Sequence, residues 1–403
     1  MKVTRPALRL RAEAALRRSP VTALLGPRQC GKTTLARDLA RTRASTFFDL
    51  ERPADRQRLQ QGELTLGSLS GLVVIDEIQR EPGLFNLLRV LADRRPARAR
   101  FLILGSASPD LIKGASETLA GRVAFIDMGG FSLDEVGASH LDRRWLRGGF
   151  PRSYLARSGA LSVSWREDFI RTFLERDIPQ LGIQIPAEQL RRFWSMTAHY
   201  HGQIWNGSEI AGSLGVAHTT VTRYLDILSG AFVLRRVPPW HANIGKRLVK
   251  SPKVYLRDSG LLHSFLGIRD RHDLLGHPKL GASWEGLVLE ELLSTVSDRD
   301  LFFHSTYSGS EVDFVVRSGV DLFGFEAKCS DAPSLTRSMR VVLEDLGLKH
   351  LFVVYPGPER FRLHEKVTAI PMAALAAGPR GLLAPRRRQL ARTGGPRTPG
   401  RRD

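Results

Sequence analysis

Gly26-Pro27-Arg28-Gln29-Cys30-Gly31-Lys32-Thr33-Thr34 stands between a short apolar run, Val21 to Leu25, and a helical pattern that opens at Leu35. The stretch fits G-x-x-x-x-G-K-[ST], and strand, glycine-rich turn, helix is the setting which that pattern requires. A polyphosphate carries several charges on closely spaced oxygens. Its site therefore needs many backbone N–H groups converging from a helix N-terminus, and glycines let the backbone come that close. Residues Gly26, Pro27, Arg28, Gln29, Cys30, Gly31, Lys32, Thr33 and Thr34 are thus expected to cradle ATP. Lys32 would reach the β- and γ-phosphates as a point charge, and the Thr33 hydroxyl would hold Mg²⁺.

Strand-like runs recur downstream at Ser45 to Leu50, Leu72 to Asp76, Arg100 to Gly105 and Val123 to Met128, with helical patterns between them. Such βα alternation predicts a parallel sheet covered on both faces. The run Leu72-Val73-Val74-Ile75-Asp76-Glu77 delivers two carboxylates to the sheet's C-terminal edge, beside the phosphates. Asp76 is expected to complete the Mg²⁺ shell through water, and Glu77 to orient and deprotonate the attacking water. Ser106, at the small and polar tip of the next strand, suits a γ-phosphate sensor or simply a tight turn that needs small residues. Arg122 suits a nucleotide contact, in cis or from a neighbouring subunit, or an ordinary surface arginine.

Composition bounds the rest. A chain of 403 residues exceeds what one core usually serves, and 42% apolar with 25% charged residues is ordinary for globular protein. The balance of 60 basic to 41 acidic residues, a formal +19, points to polyanions, with nucleic acid the commonest large one. Solvated arginine faces are the plainer explanation. The last 25 residues hold eight arginines against Asp403 and read as a disordered basic tail. Two cysteines, Cys30 and Cys329, fit a reducing cytosol, and no run of 18 apolar residues or secretory pattern occurs.

The phosphate loop, the Val-Val-Ile-Asp-Glu-Ile-Gln strand, the Leu-Gly-Ser-Ala-Ser tip and the Leu119-Ala120-Gly121-Arg122 segment together resemble the AAA-type ATPases of bacteria and archaea that carry a C-terminal domain of unknown function 4143. The resemblance runs from about residue 18 to residue 370. It implies a AAA-like nucleotide-binding core, and Glu175-Arg176-Asp177-Ile178 resembles a segment typical of the family. Arg176 then either acts on ATP from a neighbouring domain or pairs along its own helix surface.

Beyond Leu141 helical patterns take over, with a break at Gly148-Gly149-Phe150-Pro151. Trp165 to Ile178 reads as an amphipathic helix with Phe169, Phe173 and Leu174 inward. Asn206 to Leu228 has helix-turn-helix spacing: Ser208 as cap, Gly215 as turn, and a second helix from His218 or Thr219. Phe232 to Pro238 would form a wing strand. In a DNA reader His218, Thr219, Thr220, Thr222 and Arg223 would face groove or phosphates, whereas in a packing module they would not.

The last region sets Glu285 on a helix from Trp284 to Leu293, Asp313 on a strand, and Glu326 with Lys328, two apart and so on one face, on the next. Carboxylates in that number gather Mg²⁺, and a nearby lysine positions or deprotonates water. That is equipment for phosphodiester hydrolysis, with Asp313, Glu326 and Lys328 catalytic and Glu285, Asp313 and Glu326 metal ligands. The order resembles the PD-(D/E)xK nucleases, although Val312 stands where the proline would be. Glu290 and Glu291 are alternative occupants of the helix position.

The sequence therefore predicts an α/β chain: a AAA-type P-loop ATPase sheet at 1–140, a helical winged-helix region at 141–250, an α/β nuclease-like domain at 251–375 and a basic tail at 376–403. Its expected ligands are ATP and Mg²⁺, its expected partner DNA, with no membrane. A second reading has an inactive nuclease-like fold gripping DNA or a protein partner while ATP regulates. Homo-oligomers, common among AAA-type modules, are a further expectation.

Overall fold

The structure, a computed structural model, describes residues 3–96, 98–108, 119–240, 249–306 and 309–383. The expected tail lies outside the described residues from 384 onward; the segment before it, Met372–Ala377 and Gly378–Gly381, is helical.

Strands β1 (Val21–Leu25), β2 (Ser45–Asp49), β3 (Gly71–Asp76), β4 (Ala99–Gly105) and β5 (Val123–Asp127) form one sheet in the order β2-β3-β4-β1-β5. Every pairing is parallel. The alternation of a two-residue period sorts the strand residues onto two dry faces. Val21, Ala23, Leu25, Val73, Ile75, Phe101 and Ile103 pack with the helix Leu84–Asp93. Leu24, Val74, Leu102, Leu104 and Ile126 pack on the opposite side, in a cluster that continues through Phe169, Phe173 and Trp194 to Leu228. One apolar core thus joins the ATPase sheet to the helical unit that follows.

That unit contains the helix Gly159–Thr172, a π-helical turn Phe173–Asp177, and helices Ala187–His199, Gly207–Leu214 and His218–Gly230. The last two meet at Gly215, whose φ of 67° closes the turn at no steric cost. The cap differs from expectation: Asn206, not Ser208, accepts the Glu209 N–H at 3.4 Å. Strands β6 (Gln203–Ile204), β7 (Leu234–Val237) and β8 (Lys253–Leu256) form a small antiparallel sheet with β8 in the middle. The expected division at 250 is therefore corrected, because β8 is hydrogen-bonded on both sides to the middle unit.

The third unit is a mixed sheet of β9 (Leu301–Ser305), β10 (Glu311–Ser318), β11 (Asp321–Ala327), β12 (His350–Tyr355), β13 (Phe361–His364) and β14 (Val367–Pro371), ordered β13-β14-β12-β11-β10-β9. The helix Leu280–Leu292 covers one face, against Phe314, Phe323, Phe325 and Phe352. The helix Arg337–Asp345 covers the other through Met339, Val342 and Leu343. A bulge between Val312 and Val315 interrupts the alternation of β10, so these two residues, an odd number apart, pack into the same cluster.

Helix Leu280–Leu292 carries three glutamates, each meeting a cation of the preceding unit. Glu285 meets Lys253 at 3.1 Å, Glu290 meets Arg235 at 2.6 Å, and Glu291 meets Arg144 at 3.6 Å. Burial lifts the Glu291 carboxyl from 4.5 to about 7 against the pull of Arg144. A carboxyl that holds its proton more firmly folded than unfolded adds stability at low pH and loses it as pH rises through the folded value. Stability from this group is thus expected to decline between about pH 4.5 and 7. Glu291→Gln should flatten that decline relative to wild type in thermal melts taken across the interval; parallel curves for the two proteins would count against it.

Candidate functional site

The phosphate loop leaves β1, which lies between β4 and β5 in the sheet, and enters the helix Lys32–Ala40 through two left-handed residues, Gln29 (φ 62°) and Gly31 (φ 102°). Gly26 is fixed by contact rather than by torsion: a Cβ there would lie 2.0 Å from the Met128 carbonyl oxygen. Cys30 is fully buried beneath the loop, and Thr34 is exposed on the helix. Arg5, a residue with no sequence signal, donates to the carbonyls of Cys30 at 3.3 Å, Gly129 at 3.1 Å and Gly130 at 2.8 Å, bracing the loop from below.

Lys32 Nζ donates to the Gly26 and Pro27 carbonyls at 2.8 and 2.9 Å and to Ser106 Oγ at 3.3 Å. Thr33 Oγ1 donates to Asp76 Oδ2 at 2.7 Å. Burial raises the Asp76 carboxyl above the usual range, with the Thr33 hydrogen bond and the Lys32 charge pulling it back. A hydroxyl and a carboxylate, both hard oxygen donors beside a lysine, suit Mg²⁺, so these residues fit that ion. Glu77 turns out of β3 in a left-handed conformation, φ 57°. Gln79 donates to its carboxylate, as does Ser106 Oγ at 3.2 Å, while the Ser106 N–H reaches Gln79 Oε1 at 3.3 Å. Lys32, Ser106 and Glu77 therefore form one connected chain at the tips of β1, β4 and β3.

Arg28 extends this network into the helical unit. It is 9% exposed, with Nη1 on Asp177 Oδ1 at 2.7 Å and Nη2 on Gln180 Oε1 at 2.8 Å. Glu77 lies 3.8 Å away and Glu51 3.6 Å. Asp177 leaves the π-helical turn toward the phosphate loop, and its carboxyl is raised by burial while Arg28 and Arg176 oppose the rise. Arg176, by contrast, is turned outward and pairs with Asp177 at 3.2 Å. Arg122 needs correction as a cis nucleotide ligand. It precedes β5, at the N-terminal edge of the parallel sheet, and makes a two-pronged pair with Asp93 at 2.7 and 2.8 Å, whereas the phosphate loop leaves the C-terminal edge.

A second ionic cluster lies between the middle and last units. Glu285, Asp313, Glu326 and Lys328 do come together: Lys328 meets Glu326 at 2.7 Å, the Asp313 N–H reaches Glu326 at 3.4 Å, and Asp313 accepts the Ala327 N–H at 2.8 Å. Burial, reinforced by Asp313, raises the carboxyls of Glu285 to about 7 and Glu326 to about 8. The expected Mg²⁺ ligands, however, already hold a protein cation. Lys253 Nζ lies 3.1 Å from Glu285, 3.7 Å from Asp313 and 2.6 Å from Glu311, and Tyr255 donates to the same Glu285 oxygen. Among the described residues no three His, Cys, Asp or Glu side chains are disposed to hold a metal. The cluster thus does not fit a divalent ion as the sequence predicts. Neither Lys253 nor Tyr255 had a signal of its own; two residues apart on a short strand, they resemble any amphipathic edge. Glu290 turns to Arg235 and Glu291 to Arg144, so neither alternative replaces Glu285.

The chain matches three family profiles: an AAA domain over residues 18–137, a domain of unknown function (DUF8612) over 138–272, and a domain of unknown function (DUF4143) over 280–375. Uncharacterized proteins of Mycobacterium tuberculosis and Mycobacterium bovis are each 53% identical over 361 residues, 90% of this chain and 82% of the relative. Among solved structures, the Walker-type ATPase of Pyrococcus abyssi aligns at 15% identity with a TM-score of 0.46, over 66% of this chain and 96% of that one. AMPPCP-bound DnaA from Aquifex aeolicus aligns at 14% identity and 0.27, over 57% and 89%. No helix among the described residues is long and apolar enough to cross a membrane.

Gly26→Ala should drive a methyl group into the Met128 carbonyl and displace the loop. The expected outcome is at least a tenfold loss in binding of a fluorescent ATP analogue, with stability lower by about 1–3 kcal/mol as in other overpacked sites. Unchanged binding would show that the loop tolerates the shift.

Proposed function

This chain belongs to the family of AAA-domain proteins that carry the domain of unknown function DUF4143, and we propose that it is an ATP-hydrolysing switch that works on DNA. The observation that carries the hydrolytic reading is the Lys32–Ser106–Glu77 chain beside the Thr33–Asp76 pair at 2.7 Å. Lys32 leaves the Gly26 and Pro27 carbonyls for the β- and γ-phosphates. Thr33 and Asp76 would hold Mg²⁺. When bound, that ion neutralises charge on the phosphate oxygens. Glu77, steadied by Gln79 and Ser106, orients the attacking water and takes its proton, while Ser106 answers to the γ-phosphate.

Arg28 supports coupling. Its guanidinium belongs to the phosphate loop but spends its hydrogen bonds on Asp177 and Gln180 of the next unit. Incoming phosphate oxygens compete for the same donors, so nucleotide would loosen Asp177 and free Glu77 together. DNA association rests on the formal +19 and on the helix pair ending at His218–Gly230, which exposes His218, Thr219 and Arg223. With β6, β7 and β8 this pair has the makings of a winged helix, and its one recognition-helix acid, Asp226, is engaged by Arg236 at 2.7 Å. A second reading, favoured by Lys253 among the carboxylates, makes the last unit a grip without nuclease chemistry.

Turnover of ATP should vanish in Lys32→Ala and fall about 10²–10⁴-fold in Glu77→Gln with nucleotide still bound. In wild type it should rise with duplex or single-stranded DNA. Hydrolysis that survives Lys32→Ala would sink the enzymatic reading, and indifference to DNA would transfer the switch to a protein partner. Asp177→Asn should release Arg28 for the phosphates and tighten ATP binding by about tenfold, the value of one charge-assisted hydrogen bond. Weaker binding in that variant would contradict the competition.

A further inference from the structure

The carboxylate cluster and the ion expected there disagree, and the disagreement is built into the fold. Lys253 has a side chain only 4% exposed, ringed by Glu285, Glu311 and Asp313 and capped by the Phe303 ring at 5.7 Å. Other donors of the chain take up further oxygens of the cluster. Tyr255 donates to Glu285, the Ala327 N–H to Asp313, and Lys328 with the Asp313 N–H to Glu326. A divalent ion entering among these oxygens would meet an ammonium within a few ångströms, and charges of like sign repel strongly where water is excluded.

Nor is the ammonium free to step aside. β8 pairs with β6 on one side and β7 on the other. Its Val254 and Leu256 are buried in the core shared with the ATPase sheet, and Tyr255 in the core of the last unit. Withdrawing the strand that carries Lys253 means opening two apolar cores at once, so its Cα is fixed beside the carboxylates.

We propose that Lys253 is a permanent, genetically encoded replacement for the divalent cation. The native cluster takes up no metal, and its work is to fasten β8 to the helix Leu280–Leu292 and to β10. A lysine supplies one positive charge and directed donors where a metal ion would supply two charges and open coordination positions, so no water is activated there. This inference is independent of the nucleotide site.

The test is Mn²⁺ titration of the full chain without nucleotide, followed by thermal melting and by Mn²⁺ electron paramagnetic resonance, on wild type, Asp313→Asn, Lys253→Met and the double variant. Wild type and Asp313→Asn should respond identically, which subtracts any ion held at Thr33 and Asp76. Lys253→Met should acquire saturable Mn²⁺ binding that raises its melting temperature by about 3 °C at a hundredfold excess over Kd and disappears in the double variant. Saturable Mn²⁺ binding in wild type that is lost in Asp313→Asn overturns the proposal, as does a folded Lys253→Met that gains none. Should Lys253→Met fail to fold in metal-free buffer, the wild-type comparison decides, and recovery of its fold on adding Mn²⁺ counts in favour.

Discussion

A charge taken out of water costs several kcal/mol unless an opposite charge meets it, and breaking such a pair afterwards is dearer still. In this chain the partner usually sits on the next unit. Arg28 of the phosphate loop is answered by Asp177 of the helical unit. Lys253, Arg235 and Arg144 of the middle region are answered by three glutamates on the single helix Leu280–Leu292. Apolar cores hold the units together non-directionally; these buried pairs fix their relative orientation, since each tolerates little displacement before a charge is stranded. The nucleotide site and the carboxylate cluster are the two ends of that system. One has its cation on a loop, paired with the next unit, and the other has its cation on a strand set between two cores.

Much of the ATPase half was legible in the sequence because its determinants are local. The four strands after the phosphate loop fall within a residue of their apolar runs, and Lys32, Thr33, Asp76, Glu77 and Ser106 converge as the spacing implied. Glu285, Asp313, Glu326 and Lys328 also converge, since order and strand parity suffice to gather them. What sequence reading missed depends on contacts across more than a hundred residues or on strand pairing. Arg28 with Asp177 spans 149 positions. β8 was assigned to the wrong unit because four residues carry no mark of which sheet will take them. Of the alternatives for Arg122 the cis contact fails for a related reason: adjacency to a strand does not say at which end of a parallel sheet a residue emerges.

The π-helical turn at Phe173–Asp177 deserves comparison with the strands around it. A π turn inserts a residue and re-aims those that follow, and here it sends Asp177 inward while Arg176 points out. Two adjacent ionic residues of a family-typical segment thus acquire different surroundings. The inward one is the more buried and the better placed to feel the phosphate loop.

The position of β8 also bears on how the molecule is made. As the chain leaves the ribosome, the five-stranded sheet has all its strands by Asp127, and the small sheet by Leu256. Lys253 must then wait for Glu285, 32 positions later, and for the strand bearing Asp313 before its ammonium has the acids it is buried among. Until then that ammonium keeps its water, because the groups that bury it are the ones that neutralise it. The boundary that family profiles draw near residue 272 falls between β8 and the acids that meet its lysine. A nascent chain that has reached that point carries the whole small sheet but none of the acids its lysine is buried among.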